Sequence, residues 1–286
     1  MVRVFLGLCL PGLMLAQATD PGPVQASSQP LYRVDVIERT TRAVNYGYRT
    51  VPTKIDLRGT VLAAEAHGEA QVESRRGAVQ IEAKVERLPP PARFGAEYLT
   101  YVLWAITPEG RPRNLGELIL NAGDKGKLKV SSDLQAFALI VTAEPYFSVS
   151  QPGDVVVMEN VIRPDTVGKV EEIAIKYELM PRGHYTYVRG EAMPQPVGKL
   201  SMDQYEAMLS LYQALNAIQV ARAGGADREA GETMRKAAEL YEQARTLQSR
   251  GAGSREVVML ARQATQTAED ARSISARRRE ASAGRK

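Results

Sequence analysis

Cysteine is almost absent: Cys9 is the one such residue in 286, and histidine occurs only as His67 and His184. That scarcity excludes a disulfide framework, a Cys/His zinc site and a thiol enzyme. Long apolar runs are lacking too. The run from Val4 to Ala16 is interrupted by Pro11 and spans 13 residues, whereas a membrane-crossing helix takes about 20. No later stretch is long and apolar enough to cross a bilayer. No G-x-S-x-G elbow accompanies a plausible base, which removes an α/β-hydrolase. What is present is an ordinary globular composition, 44% hydrophobic and 24% charged, unlike that of a disordered or collagen-like chain.

The apolar run follows a short basic start at Arg3 and ends in Ala16-Gln17-Ala18, the grammar of a secretory signal peptide over residues 1–18 cleaved after Ala18. Lipidation at Cys9 is disfavoured, because Leu8 precedes it and the apolar stretch before it is too short. Without residues 1–18 the chain has no cysteine, and export without disulfides suits a bacterial envelope. Residues 19–30, TDPGPVQASSQP, read as a flexible leader.

From Leu31 the pattern becomes short strands between turns. Val79, Ile81, Ala83 and Val85 alternate with polar residues, the period of a strand with one wet face, and Arg75–Gly77 connect it to a strand around Ala70 and Val72. Tyr98–Ile106 is apolar on both parities, which predicts a central strand buried on both faces. A turn at 108–110, a return at 115–120 and a turn at 122–126 follow, then strands at 137–142, 155–158 and 173–179. Strands at this spacing, with no helix between them, predict an antiparallel sandwich and not a βαβ sheet.

After Pro194 and Pro196 the period changes to three and four. Met202, Tyr205, Leu209, Tyr212 and Leu215 mark a first helix ending near Gly224; Met234, Ala237, Tyr241 and Ala244 mark a second. Val257, Leu260, Ala264, Ala268, Ala271 and Ile274 mark a third, with Ser254 as its expected N-cap. Short Gly-containing breaks predict antiparallel neighbours approaching closely along an alanine seam, with the Arg, Glu and Gln residues on solvated faces.

Particular segments carry a resemblance. GEAQVES (68–74), AVQIEAKVERLPPPARFGAEYLTYVLWAI (78–106), PEGRPRNLGEL (108–118) and AFALIVTAEP (136–145) resemble the extracytoplasmic β-sandwich of anti-sigma-K factors. Continued through 146–166 and into the helices, they are still more similar to the N-terminal half of uncharacterised bacterial envelope proteins of the outer membrane protein A type. The helical part resembles a short Ala/Glu/Arg-rich hairpin domain found in such proteins. The resemblance implies an α+β chain of two domains: an immunoglobulin-like antiparallel β-sandwich over 31–188, a linker over 189–200, and an antiparallel helical hairpin or three-helix bundle over 201–280, with a basic tail at 281–286. The sequence departs from the anti-sigma pattern in having a cleavable signal and leader ahead of the sandwich, so that regulatory role is not carried over. The peptidoglycan-binding domain with which such envelope proteins finish is not among these residues either.

No catalytic, cofactor-binding or metal-binding residue is expected. His67 in EAHGEA and His184 after Gly183 are expected to be solvated. GDKGKLK (123–129) lacks the first glycine and the Ser/Thr of a phosphate loop and reads as a hairpin turn. Glu144 is expected to fix a strand end, and Trp104 to pack in the core in preference to forming a sugar-stacking platform. The net charge of +4 is uneven. Arg272 to Lys286 holds six cations and one acid, and the residues from Thr19 to Ala271 hold 30 cations and 32 acids. Polyanion binding is thereby confined to Arg277, Arg278 and Arg279 and their neighbours, either as contacts to anionic envelope polymers or lipid headgroups or as compensation of a helix C-terminus.

The sequence therefore leads to a non-enzymatic periplasmic scaffold or adaptor whose partner is an envelope protein or cell-wall component and not nucleic acid. It has no transmembrane segment after cleavage, and its helices offer a surface for oligomerisation. The alternative is an accessory module that binds carbohydrate or cell-wall polymer. Intact-mass measurement of the exported protein is expected to show Thr19 as the first residue; a product retaining Met1 contradicts the cleavage.

Overall fold

Strand Thr100–Ile106 is buried at all seven positions, and the fold is arranged to cover both of its faces. In a computed structural model the described residues are 35–46, 52–75, 77–121, 124–164, 166, 169–179 and 200–283. The expected signal, the leader, His184 and the linker as far as residue 199 lie outside them. The strands are β1 (Asp35–Asn45), β2 (Thr53–Gly59), β3 (His67–Arg75), β4 (Ala78–Glu86), β5 (Thr100–Ile106), β6 (Pro112–Leu118), β7 (Gly126–Ser132), β8 (Ala136–Glu144), β9 (Val156–Val161) and β10 (Lys169–Leu179). The helices are α1 (Met202–Ala223), α2 (Ala226–Glu229), α3 (Gly231–Ser249) and α4 (Ser254–Ala283).

The chain is thus α+β, with strands preceding helices. Antiparallel pairing runs in the order β6, β5, β8, β9, β2, β3, β4, β7. A bridge between Leu120 and Gly126 brings the two ends of this series together, so the sheet is barrel-like and nearly closed. β1 and β10 form a two-stranded ribbon joined to β8 through Val44 and Asn45. The β5–β6 register slips at Leu103/Trp104, where Gly116 takes up φ +136°, a conformation that residues with a Cβ rarely adopt.

Alternation divides the apolar residues of β5 and β8 between two cores. Tyr101, Leu103, Leu139 and Val141 point inside with Ile55, Val72 and Ile81, whereas Val102, Trp104, Ile106, Ala138 and Ile140 point outside. The outer set is covered by the helices, through Ala217, Ile218, Ala221, Met234, Ala268 and Ala271. Sheet and helices consequently share a hydrophobic core within the compact unit Leu31–Lys286.

Helix α1 starts at a capping box in which Ser201 Oγ accepts from the Gln204 amide and Gln204 Oε1 accepts from the Ser201 amide. Its buried face differs from the expected seam. Of Met202, Tyr205, Leu209, Tyr212 and Leu215, only Leu209 is buried; the contact face is instead Ala207, Ser210, Ala214, Ala217 and Ala221, whose small side chains admit close approach. Helix α4 packs against both α1 and α3 along Ala261, Ala264, Ala268 and Ala271. Gly253, not Ser254, takes its capping position, because the Gly253 carbonyl accepts from the amides of Glu256 and Val257.

Trp104 is fully buried, so Trp104→Ala is expected to lower unfolding free energy by about 3–5 kcal/mol in urea titration. Burial raises the phenol pKa of Tyr46 and Tyr101 far above its ordinary value. The unfolded phenols ionise near pH 10, so stability contributed by these groups is whole below about pH 10 and falls as pH rises beyond it. Among the described residues the buried Tyr46 hydroxyl has no hydrogen-bond partner, and Tyr46→Phe is expected to leave stability unchanged or raise it by about 1 kcal/mol.

Candidate functional site

Three carboxylates are buried near the outer face of β5, β6 and β8, where the helices dock. Glu117 on β6 accepts from Thr100 Oγ1 at 2.7 Å, Gln213 Nε2 of α1 at 2.5 Å and Arg262 Nη1 of α4 at 2.7 Å. The Arg262 guanidinium also lies 3.9 Å from the centre of the Phe147 ring. Glu269 of α4 accepts from the Tyr146 hydroxyl at 2.7 Å, the Ser150 amide at 2.9 Å, and Arg272 Nε and Nη2 at 2.7 and 2.8 Å. Both Glu269 and Arg272 are buried, so this part of α4 is not the solvated face that the sequence suggested. The alanine seam brings α4 so close to the sheet that its charged residues enter the interface, where each needs a partner.

Glu144, also buried, ends β8. Its Oε1 accepts from Thr142 Oγ1 and the Gly153 amide, both at 2.6 Å, and Thr142 Oγ1 accepts from the Trp104 indole at 2.8 Å. This relay fixes the strand end and the 145–155 loop. Trp104 is therefore packed and hydrogen-bonded, not presented as a platform. Asn114 Nδ2 donates to the carbonyls of Phe147 and Val149, and Gln213 Oε1 accepts from the Phe147 amide. The chemistry of these polar residues is directed inward: they hold sheet, loop and helices in one arrangement.

That arrangement presents one end of the barrel. Alternating strand direction brings residues 60–66, 87–99, 119–121 and 145–155 to this end. The first is pinned by bonds from the Thr60 amide to the Val157 carbonyl (2.9 Å), from Thr60 Oγ1 to the Val156 carbonyl (2.8 Å) and from the Gly59 amide to the Ala66 carbonyl (2.8 Å). At its tip Val61 is 94% exposed and Leu62 43%. Glu65 of the same loop lies 3.8 Å from Arg87, the residue before Leu88. Leu88, Pro90, Pro91 and Leu120, with Leu200, Met202 and Tyr205 from the start of α1, line a cleft of about 400 Å³. Four of the five exposed large apolar residues among those described, Val61, Leu62, Leu200 and Met202, thus lie on the tip or the cleft. Burial and then the nearby Glu117 charge raise the Tyr205 pKa.

No family model, curated protein or solved structure matches the chain.

The other sequence candidates are distributed around the molecule. His67 is exposed, with Nε2 3.7 Å from Glu86 and Nδ1 3.2 Å from the Glu65 carbonyl. Arg277 and Arg278 are exposed and Arg279 is half-buried, all in the last turns of α4. Arg277 donates to the Ser273 carbonyl and Arg278 to the Glu229 carbonyl. Ala18 lies outside the described residues. Sequence reasoning missed Glu117, Gln213 and the Val61–Leu62 tip. The legible signal for the first was a lone acid in the otherwise apolar stretch NLGELIL, and for the last a Val-Leu pair between two turn-forming segments.

Removing the Glu269 charge leaves Arg272 buried and uncompensated, so Glu269→Gln is expected to cost about 3–5 kcal/mol in chemical denaturation. A Cβ on Gly59 falls 1.9 Å from the Ala63 carbonyl oxygen, so Gly59→Ala is expected to open the pinned loop. Faster amide exchange at Leu62 and Ala66 is the readout, and unchanged protection contradicts the assignment.

Proposed function

We propose that this chain is a non-enzymatic, secreted envelope protein that acts as a scaffold or adaptor, engaging a partner through the apolar end of its barrel. The observation that carries this reading is the Val61–Leu62 tip, held out in water by a hydrogen-bonded loop at the same end of the barrel as an open apolar cleft. Exposing apolar side chains on a fixed loop has no benefit for folding, whereas exposed apolar surface is characteristic of interaction sites. The inward use of Glu117, Glu144 and Glu269 supports the same reading, since it spends those residues on geometry.

Periplasmic localisation rests on the secretory grammar of residues 1–18 and on the sequence resemblance to envelope proteins. The finer architecture, an immunoglobulin-like sandwich followed by a helical hairpin or three-helix bundle, rests on that resemblance too. Among the described residues no helix is long and apolar enough to cross a membrane. Arg277, Arg278 and Arg279 provide a secondary contact to anionic polymer or lipid.

The test compares wild type with the double variant Val61→Ser/Leu62→Ser as baits in envelope extract. Both residues are exposed, so stability is expected to change by no more than about 0.5 kcal/mol. The reading predicts that specific protein capture falls at least tenfold in the variant. Equal capture by the two baits, or binding to purified cell-wall polymer that is indifferent to the substitutions, contradicts it.

A further inference from the structure

Arg87 is one of two non-glycine residues with positive φ among those described, at +55°; the other is Asp124, at +54°. Its left-handed turn takes the chain out of β4 so that Leu88 is fully buried. The Leu88 amide then donates to the Asp124 carbonyl at 3.2 Å, and the Pro89 carbonyl accepts from the Tyr101 hydroxyl at 2.6 Å. Glycine makes such a turn without the steric cost that a Cβ brings. Folding therefore does not ask for arginine at this position, and strain kept at one residue points to a use for its side chain.

That side chain joins the two apolar parts of the barrel end. Its guanidinium lies 3.8 Å from Glu65 of the Val61–Leu62 loop, and its backbone continues into Leu88, Pro90 and Pro91 of the cleft. The contact with Glu65 is too long for a hydrogen bond, and the two side chains are 64% and 86% exposed. A surface pair of this kind holds the cation only weakly, and water solvates the rest of it. A partner that covers the tip loop and the cleft together removes that water. It then has to supply an acceptor, because a guanidinium buried without one carries a large desolvation cost.

We propose that the partner engaged by the barrel end is a protein segment carrying one carboxylate between apolar side chains, and that Arg87 receives this carboxylate. The inference rests on the reading of the barrel end as an interaction surface and names the chemistry of what binds there. A carboxylate matches the planar fork of a guanidinium, accepting two parallel hydrogen bonds. Its apolar neighbours are taken by Val61 and Leu62 and by the cleft. Asp124 also lines the cleft, and its like charge disfavours a segment with a run of acids.

The probe is the labelled pentapeptide acetyl-Leu-Leu-Glu-Leu-Leu-amide, titrated with the full chain beside its Gln and Lys counterparts. The Glu peptide is expected to bind about tenfold more tightly than the Gln peptide, and the Lys peptide more weakly than either. Arg87→Gly keeps the turn, so its urea midpoint is expected to equal or exceed that of wild type while the preference for Glu over Gln disappears. Equal binding of the Glu and Gln peptides by wild type, a preference that survives in Arg87→Gly, or a lowered midpoint in that variant overturns the proposal. So does a Glu peptide that fails to bind at about 1 mM, or Arg87-dependent binding to vesicles of anionic phospholipid with none to the peptides. Capture of envelope protein that still falls with Val61→Ser/Leu62→Ser would then leave the barrel-end reading standing, so the two fail separately.

Discussion

The structure depends on charge taken out of water where the helices meet the sheet. Glu117 and Arg262 form one pair across this junction. Glu269 and Arg272, neighbours on α4, form another, and the loop after β8 completes their hydrogen bonding. Apolar contact through Trp104, Ile140 and the alanine seam supplies the adhesion, but apolar surfaces slide. A buried carboxylate that needs particular donors does not, because any displaced arrangement leaves charge without a partner. The ion pairs therefore select one docking position.

The consequences reach both ends of the molecule. With α1 held on β5 and β6, its first turn stands beside the Leu-Pro-Pro segment, and Leu200, Met202 and Tyr205 become walls of the apolar cleft. The Glu144 relay holds the 145–155 loop, while Thr60 ties the Val61–Leu62 loop to β9. The barrel end is thus a surface of fixed shape assembled from segments distant in sequence. A scaffold or adaptor role asks for such a surface, and the buried carboxylates Glu117, Glu144 and Glu269 help build it.

Much of the secondary structure was legible because local periodicity reflects which faces are covered. The two apolar parities of β5 announced burial on both sides, and the alternation of β4 announced one wet face; the structure shows both. The sequence did not say what covers the second face of β5, since covering by a second sheet and covering by helices leave the same pattern. β7 was passed over as a turn because Lys127, Leu128, Lys129 and Val130 offer only two apolar residues; its place is set by pairing with β4, not by its own hydrophobicity. On α1 the large residues drew attention from the alanine face that makes the contact. Glu269 and Arg272 look like any solvated pair on a helix, and their burial follows from tertiary approach alone.

Trp104 is the one tryptophan of the chain and lies inside the junction, so its fluorescence reports docking, while far-UV circular dichroism at 222 nm reports the helices. Equilibrium urea unfolding followed by both signals tests most directly whether buried charge makes sheet and helices one cooperative unit. The account predicts coincident transitions with a single midpoint, both displaced together by Glu269→Gln. Loss of the helical signal in a separate transition, with the tryptophan signal unaffected by Glu269→Gln, contradicts it.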